Sequence, residues 1–330
     1  MKGSGAPTMK DVAREAGVSL ATVSKVINGI RVGDGCRRRV EQAAERLGYR
    51  VNNYARGLKT NRTGCVAMVL PSLRHPFFAA LADETIACLG QRGYRCILMI
   101  TNFDAKAEQE SLVLVRQNKA DGVIALTYSR NLEPDPELPM VAIDRPLGEG
   151  IPCVASNNYA GGSLAAQRLL ELGCKRPVVF HVASRVPAEP QKRVSGFLDV
   201  CRSRNAPCEA VVVPSTEGEA PFFRFLEERI RDAAQEYGGL FCTTDRLTVL
   251  VRQFLGARGI RAPEDVQLIG YDGVSHYATG AYDCSTIVQP VREMSETAVE
   301  LLLDESRRAR GGLICLPVRY APGGTTRDDG

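Results

Sequence analysis

The chain is poor in the features that mark several large protein classes. No apolar run in its 330 residues approaches the roughly 20 that a membrane-spanning helix needs. The segment Met1–Pro7 carries no apolar stretch of the secretory kind. There are three histidines, and none of the 11 cysteines forms a C-x-x-C pair. An odd thiol count without metal-ligand spacing argues against a disulfide framework and against a zinc centre. It points instead to reduced thiols in a cytoplasm, mostly small core fillers. No G-x-G-x-x-G follows a strand pattern and no P-loop is present. A G-x-S-x-G elbow is missing too. The expectation is a binding protein with no cofactor and no metal, not an enzyme.

What is present is globular. Hydrophobic residues at 44% and charged residues at 24% exclude wholesale disorder. The overall charge of +4 conceals an asymmetry: residues 1–62 hold 13 Lys and Arg against 5 Asp and Glu, whereas the remainder holds 29 against 33. A small basic head on a mildly acidic body suits a partner that is a polyanion.

Within the head, Thr8 is placed to cap a helix whose N3 residue is Asp11, and Val12, Ala13 and Ala16 recur at helical spacing up to Gly17. Ser19 is a second N-cap candidate, with Val23, Val26 and Ile27 on one face of the helix that follows and Asn28-Gly29 closing it. A third helix is expected over 36–47. Two short helices around Gly17-Val18-Ser19 make a helix-turn-helix, whose second helix enters the major groove by its N-terminal part. Its outward residues are Leu20, Ala21, Thr22 and Lys25. Lys25 can bond guanine or a phosphate, and Leu20 and Ala21 can touch thymine methyls. Asn28, Arg31, Arg37, Arg38 and Arg39 suit phosphates. A three-helix bundle that binds protein shares the spacing but not the reason for the charge.

Residues 50–62 are polar and basic, with a short apolar pattern at Tyr54, Ala55 and Leu58. Alone, so short a segment is a marginal helix; it either folds on binding or is a linker whose Leu58 packs on the body. Beyond Gly64, short apolar runs alternate with amphipathic stretches. Strands are expected at Cys65–Leu70, Arg95–Ile100, Gly122–Leu126 and Met140–Ile143, with helices near 77–92 and 105–118. A second series follows: strands at Pro177–His181, Ala210–Val213, Gly239–Thr243 and Val266–Gly270 interleave with helices near 160–172, 191–204, 220–236 and Leu247–Arg258. A last helix, Ser295–Arg308, and a strand, Leu316–Arg319, complete the pattern. Alternation of this kind means two doubly wound α/β lobes with parallel sheets, and a ligand cleft at the carboxyl ends of their strands.

The run Met9-Lys10-Asp11-Val12-Ala13-Arg14-Glu15-Ala16-Gly17-Val18-Ser19, followed by Ala21-Thr22-Val23-Ser24-Lys25-Val26-Ile27-Asn28, resembles the head of the lac/galactose/purine-repressor family. The likeness continues through Arg37, through Ala43–Tyr49 and through Asn53–Lys59, and then along nearly the whole body. There it includes Pro76–Ala79, Ala120–Ile124, Ile143–Pro146, Asn158–Gly162, Arg193–Phe197, Ile269–Asp272 and Thr286–Pro290. The resemblance implies a small all-α head and a body like the periplasmic sugar-binding proteins. Its expected organisation is a flexible tail over 1–8, the helix-turn-helix domain over 9–51 and a hinge helix over 52–62. The first lobe would comprise 63–158 and 288–312, and the second 159–287 and 313–330.

By the same resemblance, paired hinge helices would kink operator DNA, with Leu58 wedged into the minor groove and Ala55 and Arg56 beside it. Phe77 and Phe78 would close on a small effector, gripped by Arg193 and by the Asp272 carboxylate, with Asp144 and Thr244 as further cleft positions. The chain would be a cytoplasmic homodimer on a pseudo-palindromic operator, controlled by a sugar, sugar acid or sugar phosphate. The tail 321–330 shows no leucine heptad for a further level of assembly. A sugar-binding protein without a DNA-binding role would share the body but leave the basic head unexplained.

Several residues keep a plainer reading. Phe77 and Phe78 could be core, Asp245 a helix cap, and Asp144-Arg145 an ion pair between lobes. The sequence also departs from the family pattern. Gly33 and Cys36 replace the usual Ser or Thr at the start of the third helix, His75 a common Asn, and Asn157 a common Asp; Arg193 with His75 would also suit an anionic sugar acid or phosphate. No stacking aromatic is evident near 214–221.

Overall fold

A computed structural model describes residues 7–27, 29–49, 63–129, 132–184, 186–232, 238–273, 275 and 279–327. The chain divides into two compact units, Met1–Thr63 and Gly64–Gly330.

The first unit holds three helices: α1 (Met9–Ala16), α2 (Leu20–Ile27) and α3 (Asp34–Leu47). A capping box starts α1, because the Asp11 N–H donates to Thr8 Oγ1 and the Thr8 N–H donates to Asp11 Oδ2 at 3.0 Å. Thr8, counted with the tail on sequence grounds, is therefore part of the helix start. Gly17 ends α1 at φ 62°, a left-handed conformation that glycine adopts without strain. Ser19 then caps α2, its Oγ accepting the Thr22 N–H at 3.1 Å. Val12, Ala16, Val23, Val40 and Ala43 share one buried core. α3 begins two residues before the expected position, and Gly33 at its N-cap supplies no side-chain hydrogen bond.

The second unit carries two six-stranded sheets. In chain order its first elements are β1 (Cys65–Leu70), α4 (Pro76–Gln91), β2 (Arg95–Ile100), α5 (Ala105–Gln117), β3 (Gly122–Ala125), β4 (Met140–Ile143) and β5 (Cys153–Ser156). Then come α6 (Asn158–Glu171), β6 (Val178–Ala183), a 3-10 turn (Glu189–Gln191), α7 (Lys192–Ser203), β7 (Glu209–Pro214), α8 (Ala220–Asp232), β8 (Gly239–Cys242), α9 (Asp245–Gly256) and β9 (Gln267–Asp272). β10 (Thr286–Val288), α10 (Val291–Leu303), α11 (Glu305–Arg308), β11 (Leu313–Leu316) and β12 (Arg319–Ala321) end the chain.

The first sheet runs β11-β5-β4-β3-β1-β2 and its pairings are parallel. The second runs β12-β10-β9-β8-β6-β7, with β12 antiparallel at the edge. Buried on both faces, β1 reads as a continuous apolar run. Val66, Met68 and Leu70 pack in the cluster that includes α4 and α10, whereas Ala67 and Val69 pack against α5. The second sheet is split the same way, with α6 and α7 on one face and α8 and α9 on the other.

Three expectations are corrected at the ends of the chain's crossings between lobes. The strand expected over Leu316–Arg319 is two strands: β11 joins the first sheet beside β5, and β12 joins the second beside β10. Residues 313–316 therefore belong with the first lobe, not the second. Pro317 parts the two, because it has no N–H for a ladder. The helix expected over Ser295–Arg308 starts at Val291 and breaks at Asp304, whose carboxylate caps α11 through the Ser306 and Arg307 N–H groups. β5, β10 and β12 were not expected from the sequence pattern. Among the described residues no helix is long and apolar enough to cross a membrane.

Candidate functional site

On the head, Leu20, Ala21 and Lys25 are exposed on α2, clear of the buried Val23. Ala21 and Lys25 lie one turn apart on the same face. Thr22 is half-buried and its hydroxyl is engaged, 2.9 Å from Ser19 Oγ. Arg37 is half-buried on α3, while Arg38 and Arg39 are exposed. Asn28, Ala55, Arg56 and Leu58 lie outside the described residues.

In the body, the strands' carboxyl ends converge on a cleft with about 670 Å³ of empty space, part of it open to solvent. Each lobe contributes. From the first lobe come His75, Phe77 and Phe78 after β1, Tyr128 after β3 and Asp144 after β4; from the second come His181 at the end of β6, Arg193 on α7, Thr243 and Thr244 after β8, and Asp272 ending β9. Parallel strands place their C-terminal loops at one edge of a sheet, which is why residues so far apart in sequence meet.

Arg193 is the centre of the arrangement. Its Nε donates to Asn158 Oδ1 at 2.7 Å and its Nη1 donates to the Thr243 carbonyl at 2.6 Å. The guanidinium lies 3.5 Å from the centroid of the Tyr271 ring, and Nη1 is 3.8 Å from Asp272 Oδ1. Asp272 also accepts a bond from Gln289 Nε2 at 2.9 Å. Behind it a buried chain of hydroxyls links the lobes: Ser156 Oγ donates to Gln289 Oε1 at 2.8 Å and stands 3.1 Å from Tyr271 Oη. Glu108, buried on α5, holds the Tyr128 loop by accepting the N–H groups of Tyr128 at 2.9 Å and Ser129 at 2.8 Å.

Both cleft carboxylates sit on unusual backbone. Asp144 has φ 57° and Asp272 φ 126°, a region that non-glycine residues seldom occupy. Asp144 is held there by its N–H to Val154 O at 3.0 Å and by its carbonyl, which accepts the Glu189 N–H at 2.9 Å. Burial pushes the Asp144 carboxyl up to about 6, only partly offset by Arg193. Burial also drives Asp272 well upward, against the pull of Arg193 and the Gln289 bond. His75 and His181 are pushed down to about 4, by burial first and then by the Arg193 charge, so both imidazoles are neutral at physiological pH.

All six residues expected at an effector site, Phe77, Phe78, Asp144, Arg193, Thr244 and Asp272, line this cleft. The two phenylalanines also belong to the first lobe's core, so the plainer reading holds alongside. Thr244 serves as the N-cap of α9, its hydroxyl accepting the Leu247 N–H at 3.2 Å. Asp245 instead braces the neighbouring loops, accepting from the Gly273 N–H at 2.8 Å and Thr286 Oγ1 at 2.5 Å. No Asp144–Arg145 ion pair forms among the described residues; Asp144 Oδ1 and Arg145 Nη1 are both buried without a hydrogen-bond partner there. Sequence reasoning missed His181, Tyr128, Thr243 and Gln289. Of these only His181 carried a signal: it follows Val179 by two residues at the carboxyl end of a parallel strand.

A family model described as bacterial regulatory proteins, lacI family, matches residues 8–52, and one described as a periplasmic binding protein-like domain matches residues 166–326. The chain is 32% identical over 327 residues to the ribose operon repressor of Bacillus subtilis (strain 168), spanning 98% of this chain and 99% of that one. It is 29% identical over 325 residues to the sucrose operon repressor of Pediococcus pentosaceus, spanning 97% and 99%. Its fold is similar to that of the lac repressor dimer bound to operator and the anti-inducer ONPF, with a TM-score of 0.81 at 20% identity over 98% of this chain and 100% of that one.

Proposed function

The chain belongs to the lacI family of bacterial regulatory proteins, and on that premise we propose that it is a cytoplasmic repressor controlled by a small sugar-class effector in the inter-lobe cleft. The helix-turn-helix head makes it a DNA-binding transcriptional regulator. Two copies would read the half-sites of a pseudo-palindrome through Leu20, Ala21, Thr22, Lys25, Asn28 and Arg37, since a two-fold dimer matches a two-fold operator. The hinge residues Ala55, Arg56 and Leu58 would meet the operator centre.

One observation carries the effector reading: Arg193, Asp272 and Asp144, three buried ionisable groups from both lobes, line a single cleft. Buried charge is costly unless it has work to do. Carboxylates that accept and a guanidinium that donates suit the hydroxyls of a sugar, and Phe77, Phe78 and Tyr128 offer apolar faces to its ring. No turnover is part of this reading. A ligand held by both lobes favours one relation between them, so effector and operator affinities are coupled, and the coupling is reciprocal.

Selection of random double-stranded DNA on the full-length chain, with and without a sugar panel, tests the proposal. The expected result is one enriched pseudo-palindrome whose affinity changes when a sugar binds. Recovery of no preferred sequence would remove the operator reading, and a sugar that binds without changing DNA affinity would remove the coupling.

A further inference from the structure

The cleft presents three buried polar atoms that have no hydrogen-bond partner among the described residues: His75 Nδ1, His181 Nε2 and Asp144 Oδ1. Two of them belong to imidazoles from opposite lobes. We propose that His75 and His181 are the specificity-determining residues of the effector site, two imidazoles from opposite lobes whose unpartnered nitrogens hydrogen-bond hydroxyls of an uncharged polyol and discriminate against its phosphorylated or carboxylated counterpart. The inference rests on the cleft being the effector site and says which class of ligand that site accepts.

Neither histidine has a structural duty that accounts for its free nitrogen. His75 occupies the N-cap of α4, where a short polar side chain ordinarily bonds the first-turn N–H groups, yet its ring makes no capping bond. The ring packs instead on Phe78 with centroids 4.7 Å apart, and Nε2 stands 4.0 Å from Asp272 Oδ2. His181 lies on β6, where alternation puts it on the same face as Val179 and leaves it at the mouth of the cleft. The histidine is oriented by Nδ1, which is 2.9 Å from Thr243 Oγ1, and its Nε2 is buried without a partner among the described residues. Thr243 also offers its carbonyl to Arg193, so one short segment orients both groups.

The charge surrounding the pair decides what they can read. Burial and the Arg193 charge hold both rings neutral, with Arg246 adding to the effect on His75. They therefore offer no positive charge to an anion. Among the described lining residues, Arg193 is the one cation, already bonded to Asn158 and Thr243, and it faces the carboxylates of Asp144 and Asp272, with Glu189 close enough to raise Asp144 further. A phosphate ester brings close to two negative charges at neutral pH. It would enter a site whose one cation is already engaged by Asn158, Thr243 and Asp272. A hydroxyl is the better match, since it donates to Asp144 Oδ1 and both donates to and accepts from imidazole nitrogens. A polar group left buried and unmet is what makes such a site selective.

Calorimetric titration of the full-length chain provides the test. The probes are D-ribose, D-fructose, D-glucose, sucrose and cellobiose, each beside a phosphorylated counterpart. At least one uncharged sugar should bind, with its phosphate ester weaker by about a hundredfold or more. His181→Leu and His75→Leu should each weaken the sugar roughly tenfold, the loss expected when a neutral hydrogen bond goes unmade. His181→Gln, which keeps a neutral donor and acceptor, should recover part of that loss and serves if the leucine variant does not fold. A phosphate ester that binds as tightly as its sugar overturns the inference. So does a sugar whose affinity ignores both histidines, while leaving the effector site itself in place. A panel in which nothing binds overturns the sugar reading of the cleft, and this inference with it.

Discussion

Gly162 on α6 packs directly against the backbone carbonyl of Arg193 on α7, leaving no room for a Cβ between the two helices. The contact is reciprocated one turn on, where Gly196 of α7 meets the Tyr159 carbonyl of α6 just as closely. Gly161 is similarly crowded by the Tyr271 ring on which Arg193 stacks. Three glycines thus set the depth at which the arginine enters the cleft.

Gly162→Ala should force α6 and α7 apart. The expected loss of stability is about 1–3 kcal/mol, the usual penalty for overpacking a tight core. Because Arg193 moves with α7, effector affinity should fall as well. Urea denaturation and titration with the effector check both, and wild-type values in both would show that the added methyl is accommodated without forcing the helices apart.

Arg193→Ala removes the stack on Tyr271 and the bonds to Asn158 and Thr243, and it leaves Asp272 buried with no cation beside it. Breaking a buried pair by removing one partner costs about 3–5 kcal/mol. The effector response should disappear. Arg193→Lys should not restore it, since an ammonium reproduces neither the stack nor the fork of donors. DNA release assays with the three proteins decide the point.

Asp144→Asn should stabilise the ligand-free protein. Burial raises the carboxyl from its ordinary 3.8 to about 6, so its ionised form is disfavoured in the fold. Between those values the folded state holds the proton more tightly than the unfolded state, and stability falls as pH rises. The asparagine variant escapes this penalty and also tolerates the positive φ. A gain of roughly 2–3 kcal/mol is expected at pH 7.5, fading as the pH is lowered from 6 towards 4. A gain that is the same at pH 4 and pH 7.5 would place its origin elsewhere.

Lys25→Ala should weaken operator binding by about 1–3 kcal/mol with relaxed preference at one base position, the loss expected of a base contact. Leu58→Ala should instead reduce the bend of the operator, because an apolar wedge is what unstacks the central step. Gel-shift affinity and a bend assay on the selected operator separate the two roles. An unchanged bend would remove Leu58 from the operator centre, and unchanged affinity would remove Lys25 from the reading face.

Local chemistry was legible in the sequence wherever one segment contains its own reasons. Thr8, Asp11, Gly17 and Ser19 define the helix-turn-helix because caps and left-handed turns depend on residues three or four apart. The alternation from Cys65 onward revealed two α/β lobes for the same reason, as each strand and helix carries its own period. Resemblance to the family supplied Phe77, Phe78, Asp144, Arg193, Thr244 and Asp272, which spacing alone could not have joined. Other features required the folded chain. That Leu313–Leu316 belongs to one sheet and Arg319–Ala321 to the other depends on which strand edge lies open. His181 became a candidate only when β6 ended beside Thr243. The neutrality of both rings, like the raised carboxyl of Asp144, comes from burial and from a guanidinium contributed by a distant helix. Desolvation and charge proximity depend on three-dimensional neighbours, and those neighbours exist only once the lobes have formed.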